Sequence, residues 1–155
     1  MKTKTTITEL SQEDLVNLLS TATYGSSRFS CTVSAASRLK VKEEDGDSRE
    51  DVWAKALLNG DPIYITDYDA EGCTYGPRGS LNEDPEESAV YRITLQDILA
   101  GLQSALDGDF APNDEEEVER AARCVLHLRD EAFNFDADEA DLLVQIIMFG
   151  SIIYG

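Results

Sequence analysis

The stretch from Leu142 to Tyr154, LLVQIIMFGSIIY, restricts the folding of this chain more than any other: 13 residues broken only by Gln145, Gly150 and Ser151. It is too apolar for a surface and shorter than the ~20 residues a membrane-spanning helix needs, so it is expected to be a core segment around which the other elements are arranged. Asp136, Asp138 and Glu139 crowd its start, as suits a helix N-terminus. A buried or interface helix is the preferred reading, while its Ile and Val content leaves a strand open. As an interface, it would make the protein a homo-oligomer.

Local signals place the remaining elements. Ser11 with Asp14 forms a capping-box pattern, and Leu15, Leu18, Leu19 and Ala22 then recur at helical spacing, predicting a helix over 12–23. In RFSCTVSAAS, Phe29, Cys31, Val33 and Ala35 alternate with polar residues, the period of a half-buried strand near 27–35. Ser48 caps a second helix carrying Val52, Trp53, Ala56 and Leu57 and ending at Asn59-Gly60. PIYITDYD reads as a strand over 62–68, and AVYRI as another over 89–93, paired antiparallel to it. Between them, residues 69–88 hold glycines, prolines and acids and read as a long surface loop. Thr94 caps the helix LQDILAGLQSALDG, and Pro112-Asn113-Asp114 opens one more, with Val118, Ala121, Ala122, Val125, Leu126 and Leu128. The expected architecture is a single α+β domain over 1–155: a small antiparallel sheet of about three strands packed with four to five helices.

At 155 residues such a domain needs no metal or disulfide to fold. Charge, however, is unevenly spread. Residues 1–42 hold six Lys/Arg against Glu9, Glu13 and Asp14, a net +3, whereas residues 43–155 hold seven against 28 acids, a net −21. A field of this sign repels nucleic acid and anionic membranes and attracts basic surfaces, so neither direct DNA binding nor membrane binding is expected. Three widely spaced cysteines, Cys31, Cys73 and Cys124, with one histidine, complete no zinc site, and they fit a reducing, cytoplasmic compartment. The N-terminus has two lysines but no apolar core to make it a signal peptide.

Few constellations suggest chemistry. Asp67, Asp69 and Glu71 leave the end of a strand, the way many folds hold Mg²⁺ or Ca²⁺, and would support a metal-dependent enzyme. In a chain with 31 acids the same spacing also suits a solvated turn. Cys124 and His127 lie three apart on one helix, close enough for an imidazole to activate a thiol, yet their apolar neighbours favour packing. Tyr64, Tyr68, Tyr75 and Tyr91 gather around the strand pair and could form a stacking surface or ordinary cross-strand pairs. The loop glycines match no phosphate-binding pattern, and no cofactor is implied. Asp114, Glu115, Glu116, Glu117 and Glu119 form the densest acidic run; on a helix, carboxylates at such spacings present a ladder of negative charge to a protein built to grip phosphates. The plainer reading is a solubilising surface.

The stretches LSTATYG, EDVWAKALLNGDPIYITDYDAEG, YRITLQDILAGL and QIIMFGSIIYG, about half of the chain, resemble a family of small acidic proteins carried by phages and conjugative elements of gut bacteria. The resemblance implies a mobile-element accessory protein and carries over no functional residue. Together with the charge, it leads to an expected function: a non-enzymatic acidic binding protein that engages a basic protein surface, such as a DNA-binding or host-defence protein, as a DNA mimic. A metal-dependent enzyme and a self-assembling structural protein are the alternatives.

Overall fold

The computed structural model describes residues 6–25, 29–41, 47–68, 89–112, 114–130 and 135–152. The elements run α1 (Gln12–Tyr24), β1 (Phe29–Thr32), α2 (Ala35–Lys40), α3 (Arg49–Leu58), β2 (Ile63–Asp67), β3 (Ala89–Ile93), α4 (Leu95–Asp107), α5 (Glu115–Leu128) and α6 (Ala137–Phe149). The fold is therefore α+β, with a three-stranded antiparallel sheet in the order β1-β2-β3. The described residues form six helices where four to five were expected; the addition is α2.

The helix starts follow from local chemistry. Ser11, Ser48 and Thr94 each accept the backbone N–H of the residue three positions on, and Asp14, Asp51 and Asp97 accept the cap's own N–H in return. Each closed box satisfies two donors that a helix start otherwise leaves unpaired. Asp114 and Asp136 cap α5 and α6 through their side chains alone. Gly108 and Gly150 close α4 and α6 in the left-handed conformation that favours glycine.

The sheet obeys a period of two. Ile63 pairs with Ile93, and Ile65 lies between Cys31 and Tyr91. Ile63, Ile65, Tyr91 and Ile93 are buried on this face, while Tyr64 and Thr66 on the other are half-buried and Arg92 is exposed. α6 is the centre of the helical layer. From Leu142 to Phe149 every residue is buried, covered by α1, α4 and α5. The C-terminal apolar segment is thus a buried helix rather than a strand, its side chains from Leu142 to Phe149 taken up inside the chain. Gln145, the polar residue within it, donates its amide to Asp141 at 2.8 Å, one turn earlier. Among the described residues no helix is long and apolar enough to cross a membrane.

Candidate functional site

The acidic run occupies the first two turns of α5. Asp114, Glu115, Glu116 and Glu119 are exposed, and Glu117 is half-buried. Part of this charge serves the helix itself: Asp114 accepts the Glu117 N–H at 2.9 Å, and carboxylates in a first turn complement the positive end of the helix macrodipole. The opposite face of α5 buries Ala121, Cys124, Val125 and Leu128 against the core, so Glu115, Glu116 and Glu119 point outward, while Glu117, one turn before Ala121, is half-buried.

Packing of α5 against α6 enlarges this surface. Glu117 and Arg120 of α5 line a cleft of about 210 Å³ together with Asp138, Asp141 and Gln145 of α6. One acid of the α5 run, Glu117, thus shares a cleft with Asp138 and Asp141 of α6, although more than 20 positions separate Glu117 from Asp138 in the sequence. Nothing in the spacing of either run announces this shared cleft; it follows from the packing of two helices along a buried seam.

The Cys124–His127 pair proves to be part of that seam. His127 Nδ1 lies 2.5 Å from a Glu139 carboxylate oxygen of α6, with both side chains largely withdrawn from solvent. Burial, reinforced by the Glu139 charge, pushes the Cys124 thiol from its ordinary value of 9.0 up to about 12. Such a thiol stays protonated at neutral pH, and the imidazole nitrogen nearest the seam is directed to a carboxylate. The arrangement locks α5 to α6 and prepares no nucleophile.

A pH dependence follows. Below pH 9 the thiol is neutral in both folded and unfolded chains. Between about 9 and 12 the unfolded chain ionises it while the folded chain does not, so the raised value makes stability fall as pH rises through that window, by at most ~1.4 kcal/mol per pH unit. Urea unfolding at pH 9 and pH 11 is expected to show the parent losing about 1 kcal/mol or more beyond what Cys124→Ala loses over the same interval. Equal losses would show that the thiol ionises as freely in the fold as outside it. Comparing slopes cancels the fixed cavity cost of the variant.

The other candidates separate. Asp67 is fully buried at the end of β2, on the side of the sheet that carries Ile63 and Ile65, and makes interactions within the chain. Asp69 and Glu71, like Cys73, Tyr75 and the whole 69–88 segment, lie outside the described residues. Among the described residues no group of three or more His, Cys, Asp or Glu has the geometry to hold a metal ion. The tyrosines divide as well. Tyr91 is a core residue, edge-on to Phe149 with ring centroids 5.5 Å apart, whereas Tyr64 faces the opposite side of the sheet and Tyr68 is exposed, its hydroxyl 2.9 Å from that of Ser30. Tyr91 therefore shares no stacking surface with Tyr64 and Tyr68.

Comparison of the chain with protein-family models, with curated proteins and with solved structures finds no match.

Proposed function

We propose that this chain is a non-enzymatic acidic binding protein of a mobile element, which engages the basic surface of a DNA-binding or host-defence protein by presenting the α5–α6 acidic face in place of DNA. The observation that carries this reading is the acidic face just described: Glu115, Glu116 and Glu119 exposed on α5, and Glu117 on the same helix lining a cleft shared with Asp138 and Asp141 of α6. A ladder of carboxylates fixed on rigid helices offers a phosphate-gripping protein charge at defined positions, which a disordered acidic tail does not. The net −21 of residues 43–155 adds a field that accelerates encounter with a cationic partner.

The test separates docking from folding. Glu115→Lys, Glu116→Lys and Glu119→Lys together reverse three exposed charges while leaving the Asp114 cap intact. Partners are recovered from lysate of the native host on the tagged parent protein, eluted by a salt gradient and competed with duplex DNA, and each is then titrated with parent and variant. The variant is expected to bind a recovered DNA-binding protein about tenfold or more weakly and with a shallower salt dependence, its helical circular dichroism unchanged. If the reversal leaves the affinity of every recovered partner unaltered, the acidic face is a solubilising surface and the proposal fails.

A further inference from the structure

Two of the chain's 13 basic residues meet in one cleft. Arg38 of α2 and Arg49 at the start of α3 line one cleft of about 150 Å³, together with Cys31 of β1 and Trp53 of α3. Both arginines are exposed at its rim, while Trp53 is buried beneath.

Arg49 stands out by its company. With 31 acids against 13 bases, most cations of such a chain can find a carboxylate, and the lysines nearby do: Lys40 pairs with Asp61 at 3.7 Å and Lys55 with Asp47 at 2.5 Å. Arg49 forms no ion pair with any carboxylate of the described residues. It donates to the Tyr24 hydroxyl at 3.4 Å and lies 6.0 Å from the centre of the Trp53 ring. Tyr24 in turn stacks on Trp53, with ring centroids 6.3 Å apart. The neighbouring carboxylate, Glu50, is drawn below the ordinary carboxylate range, first by the Ser48 hydroxyl, with Tyr24 adding to the effect. An aromatic pair thus positions a guanidinium whose remaining donors form no ion pair with an acid of the described residues.

The floor of the cleft suits an anion. Burial pushes the Cys31 thiol well above its ordinary value, so at neutral pH it is a neutral S–H group and places no competing charge there. Size narrows the ligand. At ~30 Å³ of liquid volume per water, the cleft holds about five waters, well below the ~300 Å³ at which pockets for larger organic ligands begin. One tetrahedral group fits, and a whole nucleotide does not.

We infer that the cleft between β1, α2 and α3 is a binding site for a phosphate-type oxyanion, gripped by the guanidinium groups of Arg38 and Arg49. Two planar forks match the oxygens of a phosphate in a way that two lysines would not. Inorganic phosphate and the terminal group of a small phosphomonoester share this chemistry. The net charge of −18 opposes any anion, but beyond the Debye length of ~8 Å at physiological salt the repulsion from distant acids is screened.

The experiment is a heteronuclear NMR titration of the full chain at constant ionic strength, with inorganic phosphate in one arm, phenyl phosphate in a second and chloride alone in a third. Saturable shifts are expected at the Arg38 and Arg49 side-chain Nε–H, the Trp53 indole N–H and the Cys31–Val33 amides, with none in the chloride arm. Saturation by inorganic phosphate identifies the free ion as sufficient, and saturation by phenyl phosphate alone identifies an ester; both support the site. Arg49→Gln and, separately, Arg38→Gln are expected to weaken binding about tenfold or more, and Arg49→Lys to restore part of the loss. Shifts linear in phosphate in both arms, or saturation unchanged in both Gln variants, would overturn the assignment. Because the α5 reversal leaves these arginines untouched, failure of the acidic-face proposal and failure of this one are separate results.

Discussion

Leu143→Ala is expected to remove about 4 kcal/mol of unfolding free energy. Leu143 sits in the middle of α6 with no solvent exposure, in the helix that α1, α4 and α5 all cover, so truncation leaves a void bounded by several elements. A site enclosed on every side relaxes poorly, and the cost of a Leu→Ala change rises with the volume that stays empty. Domains of this size have only ~5–15 kcal/mol in hand, so the variant should unfold at a much lower urea concentration. Leu126→Ala, at a leucine 57% exposed on α5, supplies the contrast and should change stability by less than ~0.5 kcal/mol. Equilibrium urea denaturation followed by circular dichroism checks both. A loss below ~1 kcal/mol at Leu143 would mean that α6 is not the centre of the core.

What could be read from the sequence was what depends on neighbours a few residues apart. The patterns Ser11–Asp14, Ser48–Asp51 and Thr94–Asp97 announce helix starts because a box closes within four residues, and all three close. The β2–β3 pairing was legible because Ile63 and Ile65, Tyr91 and Ile93 alternate on opposite sides of one connection. The alternation of Phe29, Cys31, Val33 and Ala35 misled. It extends the strand to Ala35, whereas β1 ends at Thr32 and Ser34 accepts the Ser37 N–H at 3.1 Å to start α2. A helix of six residues is too short to leave a periodicity of its own, and only the serine cap marked it. The candidate site was less accessible still. That Cys124 and His127 both meet Glu139, that Glu117 shares a cleft with Asp138 and Asp141, and that Arg38 shares one with Arg49 all depend on how elements pack, which no local spacing encodes.

The excess of acids also has two different causes, and separating them sharpens what function can be asked of it. Glu13 and Asp14, Glu50 and Asp51, Asp97, Glu115 to Glu117, and Asp138 and Glu139 all lie in first turns of helices, where they cap or complement the macrodipole. Much of the negative charge is therefore the consequence of building five helices with acidic starts. α2 alone has no acid in its first turn, and it is the helix that carries Arg38 and Lys40. The charge asymmetry along the chain becomes a spatial one: an acidic α5–α6 junction and an arginine-lined cleft beside β1. Glu119 lies past the first turn of α5, where the macrodipole no longer rewards an anion, which makes it the acid of the run least explained by helix stability.

Replacing Gly101 by valine is expected to cost about 3 kcal/mol, against the direction that helix propensity alone would give. Gly101 lies within α4, where a residue with any side chain favours the helix by up to ~1 kcal/mol over glycine. Its place is set instead by α6. A Cβ at this position would stand 2.5 Å from Ile147 Cγ1 and 2.7 Å from Ile147 Cα. The first contact could be relieved by a rotamer change, but the second is with backbone and yields only if the two helices move apart, which opens voids along the rest of their seam. Gly101→Ala should therefore also destabilise, by about 1–2 kcal/mol after the propensity gain is subtracted. Pairing it with Ile147→Ala should recover only part of that loss, because truncation removes Cγ1 and leaves Cα where it is. Urea unfolding of the two single variants and the double variant reads all three terms. Full recovery in the double variant would place the conflict in the side chain alone, and a stabilised Gly101→Ala would show that α4 and α6 lie further apart than the close approach at Ile147 requires.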